Sequence, residues 1–239
     1  MAESCLLYYI TDRSAFPGGE RTRQKHLLDK IAEAAGSGID CIQLRERDLP
    51  ARELEELARE AISVIKGSCK ASDGMGQAPV AQTPALFLNP CSLLINSRTD
   101  IAMAVSAAGV HLRADDVAPQ DVRNAWRACV EGGRGEPPAK SAIIAVSCHS
   151  AREVAQAAAN GANFAVLASV FEKKDAPEVV PAGLEELRRA CSANIPVLAL
   201  GGVTLQNAAS CLRAGAAGVA GIRLFQENEI SKTVRALRG

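Results

Sequence analysis

Apolar residues in this chain fall into short continuous runs: Leu6–Thr11, Cys41–Arg45, Leu93–Asn96, Gly109–Leu112, Ala142–Ser147, Phe164–Ser169, Pro196–Leu200 and Gly218–Ile222. A strand with one wet face alternates apolar and polar residues. A strand covered on both faces does not, which is the habit of parallel sheets flanked by helices. Between the runs the period changes to that of amphipathic helices. "RQKHLLDKIAEAAGSG" sets Leu27, Leu28, Ile31 and Ala35 at helical spacing and stops at Gly36. "PARELEELAREAISVIKG" opens with Pro50, carries Leu54, Leu57, Ala58, Ile62 and Ile65, and stops at Gly67. Ser150 and Thr204 read as N-caps of two later helices that end at Gly161 and Gly215.

Eight strand–helix units predict an α/β fold, a single (β/α)₈ TIM barrel over residues 1–239. A doubly wound open sheet would carry a glycine-rich dinucleotide loop after an early strand, and no such loop occurs. Two stretches break the period. Ser68–Pro90, rich in Gly, Ser, Gln and Pro, reads as an inserted loop before the third strand, and Glu131–Lys140 as a polar loop before the fifth.

Charge and composition narrow the function classes. The 27 Lys and Arg balance the 27 Asp and Glu, and aromatic residues make up 3% of the chain. Neither a basic stripe nor a stacking platform for bases is present, so nucleic acid is not an expected partner. The apolar run near the start is too short for a membrane span and lacks a basic flank, so neither a membrane nor a signal peptide is expected. The 8 cysteines include no C-x-x-C pair and read as reduced thiols of a cytoplasmic protein, with a homo-oligomer compatible with the pattern.

Barrel enzymes place their chemistry at the C-terminal ends of the strands. Here those ends carry Thr11, Asp12 and Arg13; Gln43, Arg45, Glu46 and Arg47; Asn96, Ser97 and Arg98; His111, Arg113, Asp115 and Asp116; Ser147 and His149; Ser169, Glu172, Lys173 and Lys174; Gly201, Gly202 and Thr204; and Gly221 with Arg223. The set is rich in cations and amides, which suits an anionic small molecule. The stretch "GIDCIQLRERD" concentrates these groups at one strand tip. Glycines after the seventh and eighth strands let backbone N–H groups approach a phosphate; the plainer reading of each is a tight turn. For His111 the plainer reading is a packed, hydrogen-bonded residue, for Asp115 or Asp116 a helix cap, and for Glu46 with Arg47 a surface ion pair.

"YITDR", "IQLRERD", "LLINSRTDIA", "GVHLRADD", "VSCHS", "LALGGVT" and "AGAAGVAGI" together resemble the thiamine phosphate synthase and TenI family, in order and spacing, over nearly the whole chain. The resemblance implies an enzyme of thiamine biosynthesis that acts on a thiazole phosphate. In the synthase branch a pyrimidine pyrophosphate loses pyrophosphate and the thiazole nitrogen captures the pyrimidine cation, with Mg²⁺ as cofactor. The resemblance then implies Gln43, Arg45, Arg47 and Asn96 as holders of pyrimidine and pyrophosphate, with Ser147, Lys173 and Lys174 as further substrate contacts. It implies Gly201, Gly202 and Gly221 as the thiazole phosphate cradle and Asp116 as a metal ligand.

Several positions depart from the synthase pattern. Ser97 stands where a second metal carboxylate is usual, and Arg47 where a lysine is. "SVFEKKDAP" replaces the usual Pro-Thr-x-Thr-Lys loop, with Ala176 where its lysine would be, and Arg223 replaces a serine. "VFE" and Ser97 resemble the TenI branch, whose thiazole tautomerases shift a proton without a metal and use a histidine here matched by His149. These departures favour a TenI-like tautomerase, with the synthase as the alternative and a non-catalytic thiamine-phosphate-binding regulatory barrel as a third reading. The acidic pair Asp115 and Asp116 points back toward the synthase.

Overall fold

A computed structural model describes residues 5–72, 91–132, 141–172 and 178–239. Within them the elements run β1 (Leu6–Ile10), α1 (Glu20–Gly36), β2 (Cys41–Leu44), α2 (Ala51–Ser72), β3 (Ser92–Asn96), α3 (Thr99–Ala104), β4 (Gly109–Leu112), α4 (Pro119–Glu131), β5 (Ile143–Cys148), α5 (Ala151–Ala159), β6 (Phe164–Ala168), α6 (Gly183–Ala190), β7 (Val197–Leu200), α7 (Ala208–Arg213), β8 (Gly218–Gly221), α8 (Arg223–Gln226) and α9 (Ile230–Arg238). Every neighbouring pair of strands is parallel, and β1 pairs with β8, so the sheet closes into a (β/α)₈ barrel.

The continuous apolar runs are explained by two separate cores. Leu6, Tyr8, Ile10, Cys41, Leu94, Ile143, Ala145, Phe164, Val166, Leu198 and Ala220 fill the barrel interior. The alternate residues, such as Leu7, Tyr9, Ile42, Leu44, Ile95 and Val110, face the helices and pack with Leu27, Ile31, Leu57 and Trp126. A strand sandwiched this way has no polar phase until it leaves the sheet. None of the 8 cysteines forms a disulfide.

Two helix boundaries differ from expectation. Helix α2 does not stop at Gly67 but runs to Ser72, which places the first part of the Ser68–Pro90 segment in a helix. A mid-helix glycine costs only about 1 kcal/mol, and nothing there breaks the backbone ladder; residues 73–90 lie outside those described. Thr204 does not cap α7, whose N-cap is Asn207; the Asn207 Oδ1 instead accepts from the Thr204 amide at 2.8 Å. Ser150 does cap α5, accepting from the Glu153 amide at 3.2 Å.

The C-terminal helix α9 ties the end of the chain to its beginning. The Arg238 guanidinium donates to Gly38 O at 2.7 Å, Cys5 O at 3.3 Å and Asp40 Oδ2 at 2.6 Å. The same Asp40 oxygen accepts from the Leu7 amide at 2.7 Å. This clamp lies at the N-terminal end of β1 and β2 and leaves the other end of the barrel open.

Candidate active site

The C-terminal ends of the strands surround one cavity of about 1110 Å³, lined by Asp12, Gln43, Arg45, Arg47, Asn96, His111, Arg113, Asp115, Ser147, His149, Gly201, Gly202, Gly221 and Arg223, among others. Strand tips that are distant in sequence thus converge, because all eight strands are parallel and their polar ends point the same way.

The β2 tip divides by the period of a strand. Gln43, Arg45 and Arg47 face the cavity. The intervening Glu46 and Asp48 turn outward to the buried Arg13, which contacts Glu46 at 3.2 Å and Asp48 at 2.7 Å. Glu46 also accepts from Thr11 Oγ1 at 2.6 Å and is 4% exposed, so it does not form a surface pair with Arg47. Asp48 and Glu20 complete the ring around Arg13. This network pins the loop after β1 to the loop after β2 and leaves the charges of Arg45 and Arg47 without an ion pair among the described residues. Burial, and secondarily the charge of Arg47, lowers the Arg45 pKa. An anion supplied to the cavity relieves both effects. Beside them the Gln43 amide donates to Asn96 Oδ1 at 2.8 Å, which orients both side chains across β2 and β3.

The turn after β7 needs glycine on two grounds. Gly201 and Gly202 have φ of +92° and +65°. A β-carbon on Gly201 would lie 2.8 Å from Ser169 Cα, and one on Gly202 would lie 2.8 Å from Phe171 Cβ and against the Glu172 carbonyl. The loops after β6 and β7 are therefore in backbone contact, and the cavity wall there is main chain. Gly221 ends β8, and α8 follows directly with Arg223 at the cavity. Gln226 secures α8: its Oε1 accepts from Tyr9 Oη at 2.8 Å and the Asp12 amide at 3.2 Å, and its amide donates to Asp12 O at 2.6 Å.

Asp116 is within the site region but not on the cavity wall. Its Oδ2 accepts from Ser97 Oγ at 2.7 Å and the Arg113 amide at 2.8 Å, and its Oδ1 accepts from the Arg113 guanidinium at 3.2 Å. Burial alone would raise its pKa; the Arg113 amide, the Ser97 hydroxyl and the Arg113 charge outweigh that and hold it below the usual carboxylate range. Ser97 adopts φ +57°, a conformation otherwise favoured by Gly, Asn and Asp. The cap of α4 is Ala118, with no side-chain bond, so neither Asp115 nor Asp116 caps it.

His149 Nδ1 lies 2.8 Å from Ala168 O. A carbonyl only accepts, so Nδ1 carries a proton, and this bond fixes the ring at the cavity wall. His111, the less promising histidine by sequence, proves to be a buried group on the cavity floor. It contacts Tyr8 Oη through Nδ1 at 2.9 Å and Ser147 Oγ through Nε2 at 2.8 Å. Tyr8 and Gln226 were not legible as site residues; the inward phase of β1 was the only signal for Tyr8. Arg13 was legible as a strand-end residue, but it turns away from the cavity to Glu46 and Asp48. Lys173, Lys174 and Ala176 lie outside the described residues. No group of three or more His, Cys, Asp or Glu side chains that could hold a metal ion occurs among the described residues, and no helix among them is long and apolar enough to cross a membrane.

Comparison with known proteins points one way. The family model for thiamine monophosphate synthase matches residues 89–225. The thiamine-phosphate synthase of Methanoculleus marisnigri is 33% identical over 237 residues, covering 97% of this chain and 93% of that protein. That of Roseiflexus castenholzii is 35% identical over 217 residues, covering 90% of this chain and 78% of that protein. The solved structure of thiamine phosphate pyrophosphorylase from Pyrococcus furiosus superposes with a TM-score of 0.71 at 26% identity, covering 99% of this chain and 95% of that one.

Proposed function

The chain belongs to the thiamine monophosphate synthase family, and from that membership we infer that it joins a hydroxymethylpyrimidine pyrophosphate to a thiazole phosphate with release of pyrophosphate. The observation that supports this reading is a pair of regions on one cavity whose chemistry suits anions. Arg45 and Arg47 stand at β2, the glycines of β7 and β8 stand with Arg223, and β1 lies between them. At about 1110 Å³ the cavity is larger than one small ligand needs. Two phosphorylated substrates suit it; a proton shift within one substrate requires only one anchor. The names of the relatives also favour coupling over the tautomerase reaction to which Ser97, "VFE" and His149 pointed.

In the coupling step the bond between the pyrimidine methylene carbon and the pyrophosphate oxygen breaks, and its electron pair leaves with pyrophosphate. Arg45, half-buried and partly desolvated, and the exposed Arg47 stabilise that growing charge. Gln43 and Asn96 hold each other and present their remaining amide groups to the pyrimidine. The thiazole nitrogen then donates its lone pair to the methylene carbon, and the main-chain cradle at Gly201, Gly202 and Gly221 keeps the thiazole phosphate in place. No proton moves in this step. His111 suits such a site, because burial above all, with the Arg45 charge, pushes its pKa down to about 3 and keeps it neutral.

The family is consistent with Mg²⁺ dependence, but the described donor set does not fit a resident ion. Mg²⁺ takes one or two carboxylates plus substrate phosphates. Asp116 is engaged by Ser97 and Arg113, and Ser97 supplies a hydroxyl where a second carboxylate is usual in the family. No step is therefore assigned to the metal.

The test is an end-point assay for thiamine phosphate and pyrophosphate with both substrates together and each alone, with and without Mg²⁺. Equal release of the two products, only when both substrates are present, is expected. Turnover of a carboxythiazole phosphate tautomer in the absence of coupling would overturn this reading in favour of the tautomerase.

A further inference from the structure

Three residues from three strands form a hydrogen-bonded chain that leads from the barrel interior to the cavity floor. Tyr8 on β1 is fully buried, its Oη is 2.9 Å from His111 Nδ1, and His111 Nε2 is 2.8 Å from Ser147 Oγ. The Tyr8 ring stacks on His111 at 5.7 Å and meets Phe164 edge-on at 5.5 Å, so packing fixes both rings.

The direction of these bonds follows from the donor inventory. Among the described residues the Tyr8 hydroxyl has no hydrogen-bond partner other than Nδ1. A buried hydroxyl proton without an acceptor loses its hydration with nothing in return, so Tyr8 donates and Nδ1 accepts. A neutral imidazole whose Nδ1 accepts carries its proton on Nε2. Nε2 therefore donates to Ser147 Oγ. With that lone pair occupied, the Ser147 hydroxyl turns its own proton toward the cavity that it lines.

We propose that Tyr8 and His111 are positioning residues that fix the Ser147 hydroxyl as a hydrogen-bond donor toward bound substrate. The orientation selects an acceptor at that point. Arg45 lines the same cavity, so the fitting acceptor is an oxygen of a phosphate or diphosphate group. Tyr8→Phe keeps the ring and removes the proton that makes Nδ1 an acceptor. The imidazole is then free to carry its proton on Nδ1, and Nε2 draws the Ser147 proton away from the substrate. The kinetic part of the test rests on the coupling reaction inferred above; the spectroscopic and binding parts do not.

The experiment begins with the unmodified full chain carrying ¹⁵N-histidine. A long-range ¹H–¹⁵N spectrum between pH 6 and 8 should show His111 as the neutral Nε2–H tautomer. Calorimetric titration with inorganic pyrophosphate should show Tyr8→Phe and Ser147→Ala each weakening binding by about tenfold. The double variant should bind no more weakly than either single one, because the two changes remove the same donor. Ser147→Thr, which keeps a hydroxyl, should restore binding, and kcat/KM for coupling should follow the same pattern. An Nδ1–H tautomer, additive losses in the double variant, or wild-type binding by Tyr8→Phe would each overturn the proposal. The expected tautomer and binding pattern in a protein that does not couple its substrates would refute the coupling reaction and leave the relay standing.

Discussion

Replacing Ser97 by aspartate tests how the site manages negative charge. The position accepts the change in backbone terms, since φ is +57° and aspartate tolerates that region. The side chains do not accept it so readily. The Ser97 hydroxyl donates to Asp116 Oδ2 at 2.7 Å, and a hydrogen bond to a charged group is worth roughly 1.5–3 kcal/mol. The substitution removes it and sets two carboxylates roughly 4 Å apart, a repulsion of about 1 kcal/mol in water and about 4 at an effective dielectric of 20. At pH 7 without metal, Ser97→Asp should therefore unfold with about 3–5 kcal/mol less stability in urea. The deficit has a pH signature. In the parent protein the depressed pKa of Asp116 adds stability above the unfolded-state pKa of about 3.9, and that stability is lost as pH falls through the folded value. In the variant the pair titrates higher, so its deficit should shrink as pH falls from 7 to 5. Mg²⁺ should reverse it as well. If the new pair binds Mg²⁺ with a dissociation constant of ~1 mM, 10 mM Mg²⁺ returns about 1.4 kcal/mol, or roughly 3–6 °C in Tm for a domain of this size. The parent should show no comparable shift with Mg²⁺ alone. Equal responses of parent and variant to Mg²⁺ would show that the metal is held elsewhere and that Ser97 is not a lost ligand position.

Three further outcomes follow from the geometry. Arg45→Ala should weaken inorganic pyrophosphate binding by about 10- to 100-fold in calorimetry, since it removes a charged hydrogen-bond donor worth roughly 1.5–3 kcal/mol; its Tm should hold or rise, because the burial and Arg47 repulsion that lower the Arg45 pKa are relieved. Gly202→Ala should cost about 2–4 kcal/mol in chemical denaturation, combining a left-handed backbone with overpacking against Phe171 and Glu172, and should weaken thiazole phosphate binding in parallel. Arg238→Ala should destabilise by about 2–4 kcal/mol at pH 7, discounted from a fully buried pair because Arg238 is partly exposed. Burial, against the pull of Arg238, already raises the Asp40 pKa; without Arg238 it rises further, so this loss should be smaller at pH 4 than at pH 7, and an equal loss at both would show that Asp40 is not the group left behind.

The barrel was legible because its strands are buried on both faces, and a continuous apolar run such as Gly109–Leu112 has no other economical explanation. The mouth was legible in outline for the same reason, since polar residues that end such a run can only stand at a strand tip. What could not be read was phase. "RERD" shows four charged residues, but only the alternation of the strand sends Arg45 and Arg47 inward and Glu46 and Asp48 to Arg13. That partner lies 33 residues from Glu46 in the chain, and nothing local announces it. His111 was hidden by its own apolar surroundings: the burial that makes a histidine look structural is also what holds it neutral on the cavity floor. Gly67 misled because a helix supported by Leu54, Leu57, Ala58 and Ile65 in the core tolerates one glycine.

The pairing of β1 with β8 has a consequence for how the chain is made. Leu6 is in register with Gly218, so the seam joins residues about 210 positions apart. At roughly 5–20 residues per second, the ribosome needs about 10–40 s between emitting one side of that seam and the other. Through that interval β1 presents an apolar edge with unpaired N–H and C=O groups, the kind of surface on which nascent chains cross-pair. The Gln226 bonds to Tyr9 and Asp12 and the Arg238 clamp on Cys5 and Asp40 arrive later still. A ribosome that pauses before Gly218 therefore holds an open sheet with two live edges, and the chain's vulnerability to aggregation is greatest just before β8 joins the sheet.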